Sequence, residues 1–259
     1  MSSETIETPK TPSMRLDGLC AVVTGAGRSI GRASALALAE AGADVVLISR
    51  TRSDLDEVAA RIGEIGTKAL PIVCDITRPA ELEAAFAAPD RIDILVNNAG
   101  TNIPEPFAEV SEAHYDAIMD LNVKALFMAS QAAAGRMLAA GRGGAIINMS
   151  SQMGHVGAPN RTVYCTSKHA VEGLTKAMAV ELAPHKIRVN SIGPTFILTP
   201  MTRPFFDNPA FREDMLARIP LGTLGNLEDV MGAVVFLASP AAALITGAAL
   251  SVDGGWTAW

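Results

Sequence analysis

At 259 residues, with 49% hydrophobic and 19% charged residues, the chain has ample apolar material for a large core, and one α/β domain accommodates it. A formal charge of -6 and the lack of any long Lys/Arg block argue against a nucleic-acid or anionic-membrane surface. Three cysteines without a C-x-x-C and four histidines without an H-x-x-x-H pair support neither a disulfide framework nor a protein-bound metal.

Residues 1–15 are polar, with acids and prolines where a signal peptide needs an apolar stretch, and are expected to be a disordered tail ahead of a single domain over 16–259. The first predicted strand, Leu19–Thr24, runs into TGAGRSIG (Thr24 to Gly31) and then a helix-like Ala/Leu run ending near Gly42. Strand, glycine turn and helix together form a phosphate cradle. Gly25 and Gly27 permit a tight turn and close ligand approach, and the helix start offers unpaired N–H groups and the positive end of its dipole. The spacing G-x-G-x-x-x-G is one residue longer than the strict dinucleotide fingerprint. A second strand, Val45–Ser49, follows as a right-handed crossover requires.

Further strands are predicted at Ala69–Cys74, Ile92–Asn97, Ala145–Ser150, Arg188–Ile192 and Ala248–Val252, alternating with helical patterns. Nearly continuous Val/Ile/Leu runs mark strands covered on both faces. The expected architecture is therefore a doubly wound α/β Rossmann fold, with a seven-stranded parallel sheet and helices on both faces. The uncharged stretch Val230–Val252 is long enough to span a membrane, but Ser239-Pro240 and Thr246-Gly247 interrupt it. A helix over Leu227–Leu237 followed by a buried strand explains it better, so a soluble, cytoplasmic protein is expected. The segment 199–218, with Pro200, Pro204, Phe205 and Phe206 and no strand of its own, reads as a mobile lid.

Ligands of such sheets bind at the carboxyl ends of the strands, where Asp75, Asn97-Asn98-Ala99-Gly100, Ser150-Ser151 and Gly193-Pro194 fall. In YCTSK, Tyr164 and Lys168 stand at i and i+4 on a helical pattern and share one face. Ser151 lies upstream at a strand end, and Asn122 sits in a preceding helix within DLNVKALF. Together with TGAGRSIG, NNAG and the terminal VDGGW, this ordered set resembles the short-chain dehydrogenase/reductase family over roughly Leu16 to Trp256.

The resemblance implies that Asn122, Ser151, Tyr164 and Lys168 form the active site of an NAD(P)-dependent oxidoreductase interconverting a secondary alcohol and a ketone. Ser151 would bond the substrate oxygen, and Asn122 would hold a water linking Lys168 to solvent. A free Tyr, with a pKa near ~10, is a ready acid and a poor base at neutral pH. A Lys168 ammonium about 4 Å away, at an effective dielectric of ~20, would favour the phenolate by about 4 kcal/mol, on the order of three pKa units before desolvation opposes it. Two departures from the family pattern stand out: Ser29 replaces the middle glycine of the turn, and Thr195 follows Pro194 where glycine is usual. Ser29 is small enough for a helix start, where its hydroxyl could contact phosphate.

The cofactor-binding set implied is Gly25, Gly27, Arg28, Ser29, Ile30, Gly31, Arg50, Asp75, Ile76, Asn98, Gly100, Tyr164, Lys168, Pro194, Ile197 and Thr199. An acid closing the second strand would bind the adenosine 2′-OH, but Ser49-Arg50 stands there and Arg28 adds a second cation. NADP(H) is therefore expected, with NAD(H) as the alternative. Gln152, His155 and Arg161, between Ser151 and Tyr164, suit a small polar substrate: a polyol, sugar acid or hydroxy acid. A 3-oxoacyl thioester reductase is the runner-up, and a non-catalytic cofactor-binding regulator the reading from another class. Apolar and small residues around much of Ala125–Ala140 and Ser167–Ala183, among them Phe127, Met128, Ala129, Ala132, Ala133, Ala134, Leu174 and Met178, predict a homo-oligomer, expected to be a homotetramer.

Overall fold

The structure, a computed structural model, describes residues 8–199 and 202–258. Its elements run β1 (Cys20–Thr24), α1 (Ser29–Glu40), β2 (Asp44–Ser49), α2 (Arg52–Ile65), β3 (Ala69–Val73), α3 (Pro79–Ala87), β4 (Ile94–Asn97), α4 (Glu112–Met119), α5 (Leu126–Ala140), β5 (Gly144–Met149), α6 (Thr162–Leu182), β6 (Ile187–Pro194), α7 (Pro209–Ala217), α8 (Leu227–Ala238) and β7 (Ala249–Val252). The strands form one seven-stranded sheet in the order β3-β2-β1-β4-β5-β6-β7, each pair parallel. All seven predicted strands are present, with ends shifted by a residue or two.

Strand alternation divides the core. Val23, Leu47, Val96 and Ile147 face one layer with Leu38, Leu55, Ile62 and Val234 from α1, α2 and α8. Their neighbours Val22, Val46, Ile48, Leu95 and Ile146 face the other, with Leu82, Phe86, Ala129, Ala133 and Met137 from α3 and α5. Because both faces are covered, the strands read as unbroken apolar runs. This corrects part of the interface expectation: Ala129, Ala133 and Ala134 are buried inside the subunit, and their small size lets α5 approach the sheet. Phe127 and Met128 do remain exposed, at 45% and 39%.

The strand order reverses between β1 and β4, so a crevice opens above their carboxyl ends, where Thr24-Gly25 meets Asn98-Ala99. Residues 8–13 of the expected tail are exposed and carry no regular structure, and 1–7 lie outside the described residues. The chain is anchored from Arg15, which pairs with Asp17 and donates to the Glu40 carbonyl at 3.1 Å.

The uncharged stretch divides as expected into α8, opened by an Asn226/Asp229 capping box, then a turn and β7. No helix among the described residues is long and apolar enough to cross a membrane. Of the segment 199–218, Pro200 and Met201 lie outside the described residues. The rest contains α7, capped by the Asn208 side chain, and is pinned at its base where Ile197 bridges Gly225. Phe206 and Phe211 pack at 5.8 and 6.0 Å from Phe196, itself 6.0 Å from Trp256.

Candidate active site

The glycine turn is shaped by the end of β4. The Thr24 hydroxyl accepts the backbone N–H groups of Asn98 (3.0 Å) and Ala99 (3.2 Å), and the Asn98 amide donates to the carbonyls of Thr24 (3.1 Å) and Gly25 (3.3 Å). Asn98, expected as a cofactor contact, also braces the turn, because its amide donates to two turn carbonyls. A side chain at Gly31 would strike the Gly25 carbonyl and the Asn98 amide, which is why the helix can start this close to the strand.

At Gly27 an added Cβ would lie 2.8 Å from Asp54 Cβ and 3.1 Å from Ser49 Oγ. Asp54, in the first turn of α2, is therefore part of the cradle wall. It belongs to no linear motif, and only the packing of α2 beside α1 and β2 reveals it. Ser29, where the family resemblance leads one to expect glycine, has φ 49°, in the left-handed region that favours glycine.

Arg28 and Arg50 are exposed and make no ion pair among the described residues, whereas nearby Arg32 and Arg52 are paired with Glu57 and Asp56. Asp75 is held by Thr77, whose hydroxyl donates at 2.7 Å and N–H at 3.1 Å. Those bonds, with Arg50 and Arg78 nearby, keep its carboxyl below the usual range. Ile76 and Ile197 are buried, supporting the crevice by packing. Pro194 ends β6, and Thr199 bonds to Thr202, which fixes the base of the 199–218 excursion.

At the carboxyl ends of β4 and β5 the four predicted catalytic residues converge. Lys168, buried, donates from Nζ to the Met149 carbonyl at 2.9 Å, and its ammonium stands 5.6 Å from the centroid of the Tyr164 ring. A Cβ at Gly100 would lie 3.2 Å from Asn122 Oδ1 and 3.8 Å from Lys168 Nζ, placing both beside the NNAG loop.

Asn122 lies not in a regular α-helix but in a π-helical turn, Asp120–Ala125, between α4 and α5. Such turns break the i→i−4 ladder and recur at functional sites. The Asn122 amide donates to the Thr101 carbonyl (2.9 Å) and Ser167 Oγ (3.0 Å), and its Oδ1 accepts from Thr101 N–H (2.8 Å). Its side chain therefore fixes the loop. The Ser151 hydroxyl accepts Met153 N–H at 3.1 Å and donates to Gln152 Oε1 at 3.4 Å.

Desolvation dominates the electrostatics of the site. Burial pushes the Tyr164 phenol up, opposing the pull of the Ser151 hydroxyl and the Arg161 guanidinium. Lys168 is itself stripped of water, and burial lowers it to about 8 against the favourable charge of Glu172. Of the predicted substrate residues, Gln152 is buried beside Ser151, and Arg161 is half-buried just ahead of α6. His155 Nε2 sits 3.6 Å from the buried Glu172, one turn beyond Lys168, so its ring is drawn to that carboxylate. Glu172, which also accepts from Ser191 Oγ at 2.7 Å, was not legible beforehand, although its i+4 spacing from Lys168 carries the signal.

A family model described as enoyl-(acyl carrier protein) reductase matches residues 25–257. L-xylulose reductase of Mus musculus is 43% identical over 243 residues, 94% of this chain and 98% of the relative. The chain belongs to the short-chain dehydrogenase/reductase family. A second relative within it, the 2-dehydro-3-deoxy-D-gluconate 5-dehydrogenase of Escherichia coli K12, is 40% identical over 94% of this chain and 97% of its own. The solved gluconate 5-dehydrogenase of Burkholderia cenocepacia, in complex with NADP and tartrate, superposes with a TM-score of 0.91 at 36% identity, covering 95% and 98% of the two chains. This short-chain dehydrogenase/reductase is an NAD(P)-dependent oxidoreductase acting on CH–OH groups. The dinucleotide fits the observed cradle: Gly27 and Gly31 let α1 start directly above the end of β1, where its first N–H groups can meet a phosphate.

Proposed function

We propose that the enzyme interconverts a secondary alcohol and a ketone on a small polyol or sugar acid, with Tyr164 as the proton donor and acceptor. The observation that carries this reading is the convergence of Tyr164, Lys168, Ser151 and Asn122 beside the glycine cradle at the strand ends. The bound nicotinamide supplies or accepts the hydride. Tyr164, kept protonated by burial, gives its proton to the alkoxide oxygen formed in reduction and takes it back in oxidation. Ser151 hydrogen-bonds the same oxygen. Lys168, fixed by Met149, holds a positive charge beside the phenol ring, and Asn122 positions the loop carrying Gly100.

The two relatives named above act on a pentulose and a sugar acid, which favours this substrate class over a 3-oxoacyl thioester. NADP(H) is the proposed cofactor, held at its 2′-phosphate by Arg28 and Arg50, the two cations at the crevice mouth without protein partners among the described residues. The excursion over 199–218 is proposed to cover the substrate, and exposed Phe127 and Met128 to pack between subunits of a homotetramer. Steady-state kinetics with both cofactors against polyols, keto-sugars, sugar acids and 3-oxoacyl thioesters test the reading. A thioester as best substrate by kcat/KM would overturn it.

A further inference from the structure

Arg161 is an arginine out of place. It precedes α6, the helix that carries Tyr164 and Lys168, and its Nη1 is wholly shielded from water, yet among the described residues that atom has no hydrogen-bond partner. No carboxylate among the described residues pairs with it either. The acids on the neighbouring segments face other groups. Glu105, whose N–H bonds to the Asn160 carbonyl at 3.1 Å, faces His114 Nδ1 at 2.9 Å. Glu172 accepts from Ser191 through Oε2, and its buried Oε1, which makes no hydrogen bond, lies 3.6 Å from His155 Nε2. A guanidinium N–H withdrawn from water without a partner is costly, and a ligand acceptor at Nη1 would remove that cost.

Its place in the chain says which ligand. The loop 152–160 between Ser151 and Tyr164 is held at its end by Asn160, in the left-handed region at φ 57° and bonded to the NNAG-side loop. Arg161 thus stands three residues ahead of Tyr164, at the start of the helix that carries the proton donor, and not on the cradle built by β1 and α1. The Tyr164 phenol feels its charge, and burial lowers Arg161 itself, as a desolvated cation must respond.

We infer that Arg161 is the anion-recognition residue of the substrate site, and that the alcohol this enzyme oxidises carries a carboxylate. The inference rests on the secondary-alcohol reading above and narrows it, from polar substrates in general to sugar or hydroxy acids. A planar fork of N–H donors suits a carboxylate, to which it bonds bidentately, and a neutral hydroxymethyl group at the same place would leave the charge unpaired.

The test compares two four-carbon probes of one hydroxyl pattern, tartrate and its neutral counterpart threitol, titrated into the NADP-loaded protein. Wild type is expected to bind tartrate at least about tenfold more tightly, and Arg161→Gln to lose about 10- to 100-fold of tartrate affinity with cofactor affinity retained. Arg161→Lys, which keeps the charge but not the fork, should recover part of it. Equal affinity of wild type for the two probes overturns the inference whether or not the variants fold. So does an Arg161→Gln variant that loses both probes equally, or one that shifts the pH–rate profile while keeping its grip on tartrate, since Arg161 would then only shape the loop or tune Tyr164. The parent reading fails separately: tartrate held through Arg161 by a protein that oxidises no alcohol of a broad panel leaves the anion site standing and removes the dehydrogenase chemistry.

Discussion

The Lys168 ammonium donates to the Met149 carbonyl at 2.9 Å, so the last residue of β5 holds the side chain that α6 presents beside the Tyr164 ring. This bond ties the catalytic helix to the strand from which Ser151 follows two residues later. Burial of the same side chain lowers its pKa to about 8, so its charge is sensitive to mild alkalinity.

Tyr164→Phe should lower kcat by about 10²- to 10⁴-fold, the usual worth of a positioned proton donor, while cofactor affinity stays within a few-fold because the ring still packs. Stopped assays and cofactor titration on the same preparation check this. A near-wild-type rate would remove Tyr164 from its role.

Ketone reduction should lose kcat/KM as pH rises through about 8, where free Lys168 gives up its proton. The sign follows from a lowered pKa: the cation is complete below that value and lost above it. Alcohol oxidation needs the phenolate of a Tyr164 held above its ordinary range, so its rate should still be rising at neutral pH. A pH–rate profile in both directions measures this, and a reduction limb flat through pH 9 would contradict it.

Ser29→Gly should stabilise the protein. A side chain at φ 49° costs about 1–2 kcal/mol, and the extra freedom of glycine in the unfolded chain returns about 0.4–1 kcal/mol. The net gain, about 0.5–1 kcal/mol, corresponds to a Tm rise of about 1–4 °C for a domain of this size. A lower Tm would mean that the serine hydroxyl makes a contact worth more than the strain.

Arg50→Asp should shift selectivity from NADP(H) toward NAD(H) by about tenfold or more, because it places repulsion against a 2′-phosphate and an acceptor for a free hydroxyl. The ratio of kcat/KM with the two cofactors decides it. A wild type that already prefers NAD(H) tenfold would make Arg28 and Arg50 solvated surface cations, and the acid beside Gly27, Asp54, the dominant charge.

The chain should run as a homotetramer, with light scattering behind a sizing column giving a mass near four chains at micromolar concentration. Phe127→Asp, on the exposed face of α5, should reduce that mass. A wild-type mass near one chain would show that these side chains tolerate water.

Fold and site were legible to different depths. The seven strands could be read because parallel strands buried on both faces are written as local apolar runs, and Val22-Val23, Val46-Leu47 and Ile146-Ile147 then divide between two core layers. The i,i+4 pairing of Tyr164 with Lys168 is likewise local, fixed by helix geometry. The sequence could not show that Asn98 braces Thr24 and Gly25, or that Ala129 and Ala133 face inward. Nor could it show that Asp54 walls the cradle, or that burial holds the Tyr164 phenol above its ordinary range. Each depends on which groups from distant segments are withdrawn from water together. Periodicity and motif spacing are short-range quantities, whereas burial, hydrogen-bond satisfaction and the pKa values they set are properties of the assembled neighbourhood, so the sequence alone determined the scaffold and the chemistry's residues, and the tertiary structure alone decided how each is charged, braced or left free.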